Sequence, residues 1–343
     1  MIEPAPTAAA PPPPPRWARG FTIVASVIAA VALVVTLRRV GLGTVVDQLR
    51  AVGVWFVALV AIEVVGALCD ALAISGFLGA AAPRSPFRRV LHAQVAGRAI
   101  NLVTPLASLG EATKVTLLMR DTDSTRAIAA VARFGMTYVI INLGLIVIGA
   151  PVCALALPLP GWMVRTLWIG TALAAVLIGG LALLVRGGLV ASVVRGLRRV
   201  RLVSAARAAR WTARTADLDQ TLRGATLASW LPGAWALISK VSQWLAAWLV
   251  LAANGHAPPL EVMAVIATAG TLVNIVANLV PLGLGVAEGG TAALMAALGQ
   301  PASLGVTMAV ARRGVQLLYA AFGLTLLVSA EARPWRRGAP PAP

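Results

Sequence analysis

NLVTPLASLGE (residues 101–111) and NLVPLGLGVAE (278–288) each run from an asparagine through a proline to a glutamate ten residues on, inside a chain that is 59% hydrophobic. Arg98 precedes the first stretch, and Arg133, Arg312 and Arg313 lie about ten residues inside later apolar runs. An ionisable side chain at such depth in a bilayer costs at least ~2.5 kcal/mol, so each needs a partner or a task. Guanidinium groups hold a phosphate through paired donors, which an ammonium group does less well. Carboxylates at depth pair with such arginines or exchange protons. These residue types make Arg98, Asn101, Glu111, Arg133, Asn278, Glu288, Arg312 and Arg313 candidates for binding an anion, with Glu111 and Glu288 the candidates for proton coupling. The helix N-termini that follow the two breaks add positive potential suited to the same ligand.

Each of these residues also has a structural reading. Ser108-Leu109-Gly110-Glu111 fits a capping box, and Glu288 follows Gly285 at the same spacing. The arginines serve equally as salt-bridge partners of the two glutamates, and the asparagines as helix caps or interhelical bonds. Glu63, Asp70 and Lys240 either line a polar path or pair with arginines for assembly. The glycines of PLGLG follow no strand, so they do not read as a nucleotide motif. With His92 and His256 the only histidines, no metal-ligand cluster is expected, and no cofactor. Cys69 and Cys153 lie in apolar runs and predict no disulfide framework.

The elements that must position these side chains are helices in a membrane. Charged residues make up 12% of the chain, about half the usual share for a soluble domain. Several apolar runs reach the ~20 residues that cross a ~30 Å hydrocarbon core. The net charge of +17, nearly all arginine, is read as topology and anionic lipid contact rather than nucleic acid. Residues 1–19 are expected to form a disordered, proline-rich cytoplasmic tail, 20–331 a single transmembrane domain, and 332–343 a second cytoplasmic tail. Spans are expected near 20–37, 53–79, 124–150, 162–185, 225–251 and 302–330. The arginine-rich segment 186–223 is placed in the cytoplasm by the positive-inside rule, as are both termini. The stretches 86–120 and 260–299 are apolar but broken by proline and glycine. Each is expected to enter the membrane and return as a helical hairpin, with its irregular backbone satisfied by protein or a wet cavity.

The two stretches are parts of a longer repeat. AVARFG (130–135) matches AVARRG (309–314), and Glu63 corresponds in position to Lys240. Three full spans separate the hairpins, so the copies enter from opposite sides. The fold class is therefore all-α and polytopic: an inverted repeat of two spans, a re-entrant hairpin and one span, about six spans plus two hairpins. Repeat one covers about 20–152 and repeat two about 162–331. Transporters of this construction place broken helices around a midplane site, so the hairpin tips are expected to converge there. The glutamates are expected to reach the arginines across the repeat interface.

Arg98, Asn101, Pro105, Gly110 and Glu111, followed by Pro281, Gly283, Gly285, Glu288 and Arg312, resemble the two motifs of the flippase-like family named after the membrane region of lysylphosphatidylglycerol synthase. Two places depart from the family's pattern: Ala107-Ser108 and Ala287 stand where arginine or another polar residue is expected. The resemblance implies a multi-pass protein of the cell membrane that moves an anionic, aminoacylated or polyprenyl-linked lipid between leaflets. The acetyltransferase-like domain that attaches lysine to lipid is absent from this sequence, so no synthase activity is implied. Without a Walker motif, any coupling is expected to come from a gradient. A non-transporting partner of an envelope-biosynthesis enzyme and an intramembrane lipid-modifying enzyme are the alternatives. The expected partners are anionic membrane lipids, with such an envelope enzyme as a further one.

Overall fold

The computed structural model describes residues 53–79, 86–104, 108–188, 230–278 and 285–332, with isolated positions at 191–192, 194–195, 198, 280 and 283. The expected span 20–37, most of the basic segment 186–223 and both tails lie outside these residues. The described chain is helical, with no strand: α1 (Trp55–Leu78), α2 (Phe87–Val103), α3 (Ser108–Leu118), α4 (Ser124–Ala156), α5 (Gly161–Arg186), α6 (Trp230–Ala253), α7 (Leu260–Ala277), α8 (Val286–Ala297) and α9 (Ala302–Ala332).

Proline punctuates the helices. Pro86, Pro160 and Pro259 sit at the N-caps of α2, α5 and α7, and Pro301 precedes α9, where a fixed φ and a missing N–H cost nothing. At the other end, Thr104 turns extended ahead of Pro105 and ends α2. α4 opens on Asp123, whose side chain accepts from the Arg126 backbone N–H at 2.9 Å. Gly283 and Gly285 stand at φ 64° and 79°, so the PLGLG turn needs residues without a Cβ at both positions.

Among the described residues five helices are long and apolar enough to cross a bilayer: α1, α4, α5, α6 and α7. α9 has the length, 31 residues, with Arg312 and Arg313 within it. α5 shows its surroundings most directly. Ile169, Leu173, Val176, Leu177 and Leu183 lie exposed along it, an arrangement suited to a lipid surrounding. α7 was expected as a hairpin limb, and its 18 residues, about 27 Å, reach across most of the hydrocarbon core.

The repeat is visible in three dimensions. α1 and α6 have 24 residues each; α2 has 17 and α7 18; α3 has 11 and α8 12; α4 has 33 and α9 31. The packing exchanges in the same way. α1 lies against α6, α2 packs on α9 as α7 packs on α4, and each hairpin's limbs pack together. With α4, α5 and α6 between the hairpins, the copies run in opposite senses.

The expected convergence of the hairpin tips falls on 105–107 and 279–284, which lie largely outside the described residues. The first hairpin packs chiefly on α9 of the other repeat, the second on α9 of its own repeat through α8 and on α4 through α7, and α1 packs extensively against α6. Small residues permit that approach: Gly66 faces Ser239 and Ser242, and Gly76 faces Pro232. Among the described residues three apolar clusters result. One gathers Ile74, Val90, Ile100, Leu118 and Leu327, a second Ile146, Leu167, Val265, Leu294 and Met295, and a smaller third Leu59, Val250 and Val315.

Within the first hairpin the limbs touch backbone to backbone, since a Cβ on Gly110 would meet the Gly97 carbonyl and the Asn101 side chain. Gly110→Ala is expected to cost about 1–3 kcal/mol by overpacking. Gly135→Ala, facing open space in a helix interior, is expected to gain about 0.5–1 kcal/mol. Unfolding of both variants in the same detergent checks the difference.

Candidate functional site

Glu63 and Asp70 lie two turns apart on α1 and share a face; Gln94, Arg98 and Asn101 do the same on α2. Packing α1 on α2 brings these faces together. Arg98 forms an ion pair with Glu63, and its second terminal nitrogen lies 3.7 Å from Asp70 Oδ2. The guanidinium also stacks over the Tyr319 ring of α9, 5.0 Å from the centroid. Asp70, 3% exposed, accepts from Gln94 Nε2 at 2.9 Å and from the Tyr138 hydroxyl of α4 at 2.7 Å. That hydroxyl lies 2.8 Å from Ser239 Oγ on α6. Two residues thus tie together five helices from both repeats.

Beside this acidic pair stand two further cations. Lys240 on α6 is 5% exposed, whereas Arg312 on α9 is exposed. They are near enough for their charges to act on each other, and Arg312 also feels Glu63 and Arg98. Arg312 donates to Asn274 Oδ1 of α7 at 2.6 Å, which fixes the direction of its planar fork. Among the described residues neither Lys240 nor Arg312 forms an ion pair. The arrangement presents three positive groups, one of them already shared by two carboxylates.

The hairpin glutamates are held locally. Glu111 Oε1 accepts from Asn101 Nδ2 at 3.0 Å and from Lys114 Nζ at 2.8 Å, while Asn101 Oδ1 accepts from the Gly110 N–H at 2.7 Å. Lys114 is buried, with its ammonium 5.2 Å from the centre of the Phe134 ring. Glu288 divides its oxygens: Oε1 pairs with Arg313, and Oε2 accepts from the Gly285 N–H at 2.9 Å. Capping and pairing therefore both hold at Glu288. Both glutamates find partners inside their own repeat, not across the interface as expected. The reason is distance along the helix: a partner one turn away, or on the adjoining helix, is already within reach. Arg133 donates to the Phe77 carbonyl at 3.4 Å, at the C-terminal end of α1 where a cation is favoured. Asn278 caps the end of α7 and is exposed.

Of the sequence candidates, Arg98 and Arg312 come together with Glu63, Asp70 and Lys240. Asn101 and Glu111 form a clasp one turn away, Glu288 and Arg313 a second clasp, and Arg133 stands apart at the end of α1. Sequence reasoning missed Gln94, Lys114, Tyr138, Asn274 and Tyr319. One signal was available: the chain has two tyrosines and two lysines, and every one of them lies within an apolar stretch.

A groove of about 450 Å³ runs between α3, α4 and α5, lined by Val115, Ile128, Val131, Met136, Val139 and Leu181, with Glu111 at its edge. Its lining is apolar apart from that carboxylate.

The family model described as the lysylphosphatidylglycerol synthase transmembrane region matches residues 22–323, and the chain belongs to that family as a multi-pass integral membrane protein. No curated protein and no solved structure matches the chain.

Arg98→Gln is expected to cost about 3 kcal/mol of stability, because it strands Glu63 and Asp70 without the cation between them. Adding Glu63→Gln is expected to recover part of that loss. Unfolding of the two single variants and the double in detergent measures the coupling, and simple additivity would mean the pair contributes nothing.

Proposed function

We propose that this protein moves an anionic lipid between leaflets, seating the headgroup phosphate among Arg98, Lys240 and Arg312. One observation carries the reading: Lys240 and Arg312 stand together inside a membrane domain with no carboxylate among the described residues paired to either. Two like charges at that depth repel each other and call for a counter-anion. A lipid phosphate supplies one, and the guanidinium of Arg312, aimed by Asn274, offers it two parallel donors. Because Arg312 is exposed and Lys240 buried, the headgroup meets the arginine first.

The substrate class follows from the same chemistry: a phosphate-bearing lipid, with polyprenyl-linked and aminoacylated lipids both inside it. The groove beside Glu111 suits an acyl or prenyl chain, and Asn101 links that glutamate to the helix carrying Arg98. On this reading the protein is a transporter rather than an enzyme, and anionic lipids are its ligands. The cell membrane is its site, with both termini cytoplasmic. Arg88, Arg89, Arg120 and Arg126 cluster at the start of α2 and around the α3–α4 turn, whereas the α4–α5 and α6–α7 loops carry no arginine or lysine.

In liposomes carrying a labelled anionic lipid, Arg312→Lys is expected to slow translocation about tenfold or more through loss of the paired donors, with unchanged melting. Arg313→Lys keeps its partner Glu288 and is expected to retain most transport. Lys240→Gln is expected to lose transport while melting at or above the wild-type temperature, since it removes a buried cation that has no counter-ion. Wild-type transport in Arg312→Lys and Lys240→Gln together sinks the reading.

A further inference from the structure

We infer that Asp70 takes up one proton for each anionic headgroup bound, so that lipid and proton move as a pair. The inference rests on the headgroup site above and adds the coupling step. Arg98 is the cation nearest Asp70, and it is shared with Glu63. A phosphate that recruits Arg98 leaves both carboxylates with less positive charge. Glu63 keeps partial solvent access and the field of Arg312. Asp70 is 3% exposed and keeps the neutral donors Gln94 and Tyr138, with Ser239 beside them and Lys114, already paired with Glu111, acting from α3. A buried carboxylate without a cation is unfavourable, and a proton removes its charge.

Gln94 is 1% exposed and commits its Nε2 to Asp70, while its Oε1 has no hydrogen-bond partner among the described residues.

The groups facing Asp70 from each helix are accounted for. Glu63 and Cys69 share its helix, Arg98 comes from α2, Lys114 acts from α3, Tyr138 from α4, Ser239 from α6 and Tyr319 from α9. Lys240, next to Ser239, lies near enough to Arg312 for the two charges to act on each other. Glu111 and Glu288, where sequence spacing placed the coupling, keep cations of their own in Lys114 and Arg313 and do not depend on Arg98.

The test uses the full chain in nanodiscs of zwitterionic lipid, titrated with fluorescent phosphatidylglycerol from pH 5 to 8. Wild-type Kd is expected to rise with pH, approaching about tenfold per unit, because a bound proton favours the complex. Asp70→Asn, which fixes the neutral form, is expected to remove the slope, while Glu111→Gln and Glu288→Gln keep it. In weakly buffered solution the wild type is expected to take up close to one proton per lipid, and this measurement decides alone if Asp70→Asn does not fold. Binding that is flat in pH, or a slope that survives Asp70→Asn, or zero proton uptake, overturns the inference and leaves the headgroup site standing. No lipid binding at any pH overturns both.

Discussion

Arg98 lies in a membrane domain between two carboxylates, and much of the architecture can be derived from the need to keep it there. A guanidinium at that depth is tolerated only when paired and hydrogen-bonded, and Glu63 and Asp70 supply the pairing from α1. Asp70 in turn needs donors, which come from Gln94, and from Tyr138 on a helix that follows the hairpin. The open face of the guanidinium is covered by Tyr319 from the other repeat. Satisfying one charge therefore fixes the mutual placement of α1, α2, α4, α6 and α9. Apolar packing, being non-directional, would leave their rotation and register less defined.

The repeat is symmetric in architecture and asymmetric in charge. Helix lengths agree to within two residues from one copy to the other, and helix contacts exchange in pairs. At the corresponding positions on the axis, however, α1 carries Glu63 and α6 carries Lys240. Among the described residues Arg98 is paired with carboxylates in the acidic half, while Arg312 in the basic half forms no ion pair.

The broken hairpins serve this arrangement from the side. Thr104 ahead of Pro105 ends α2, Gly283 and Gly285 supply positive φ ahead of α8, glycines admit the close approach of α2 to α3, and the two glutamates sit in the first turns of the restarted helices. Each acid then finds a cation nearby, Lys114 for one and Arg313 for the other. Neither glutamate therefore draws on Arg98, Arg312 or Lys240 for its ion pair.

What the sequence determined by itself is everything that depends on neighbours along the chain. Pro86, Pro105, Pro160, Pro259, Pro281 and Pro301 set where helices begin and break, since proline acts on its own φ and on the residue before it. The apolar runs, the matched NLV stretches and the odd number of spans between them were enough for the membrane fold and its inverted repeat. Only the tertiary structure decided which charges meet. Glu111 finds Lys114 three residues on rather than an arginine of another helix, and Arg98 finds Glu63 and Asp70 rather than Glu111. Those choices depend on which helices share the axis. That was settled by Gly66 and Gly76 letting α1 and α6 approach, and by Gly323 admitting α9 against Val95 and Ala99. Backbone approach of that kind is a sum over many weak contacts between distant segments, and residue spacing carries no record of it.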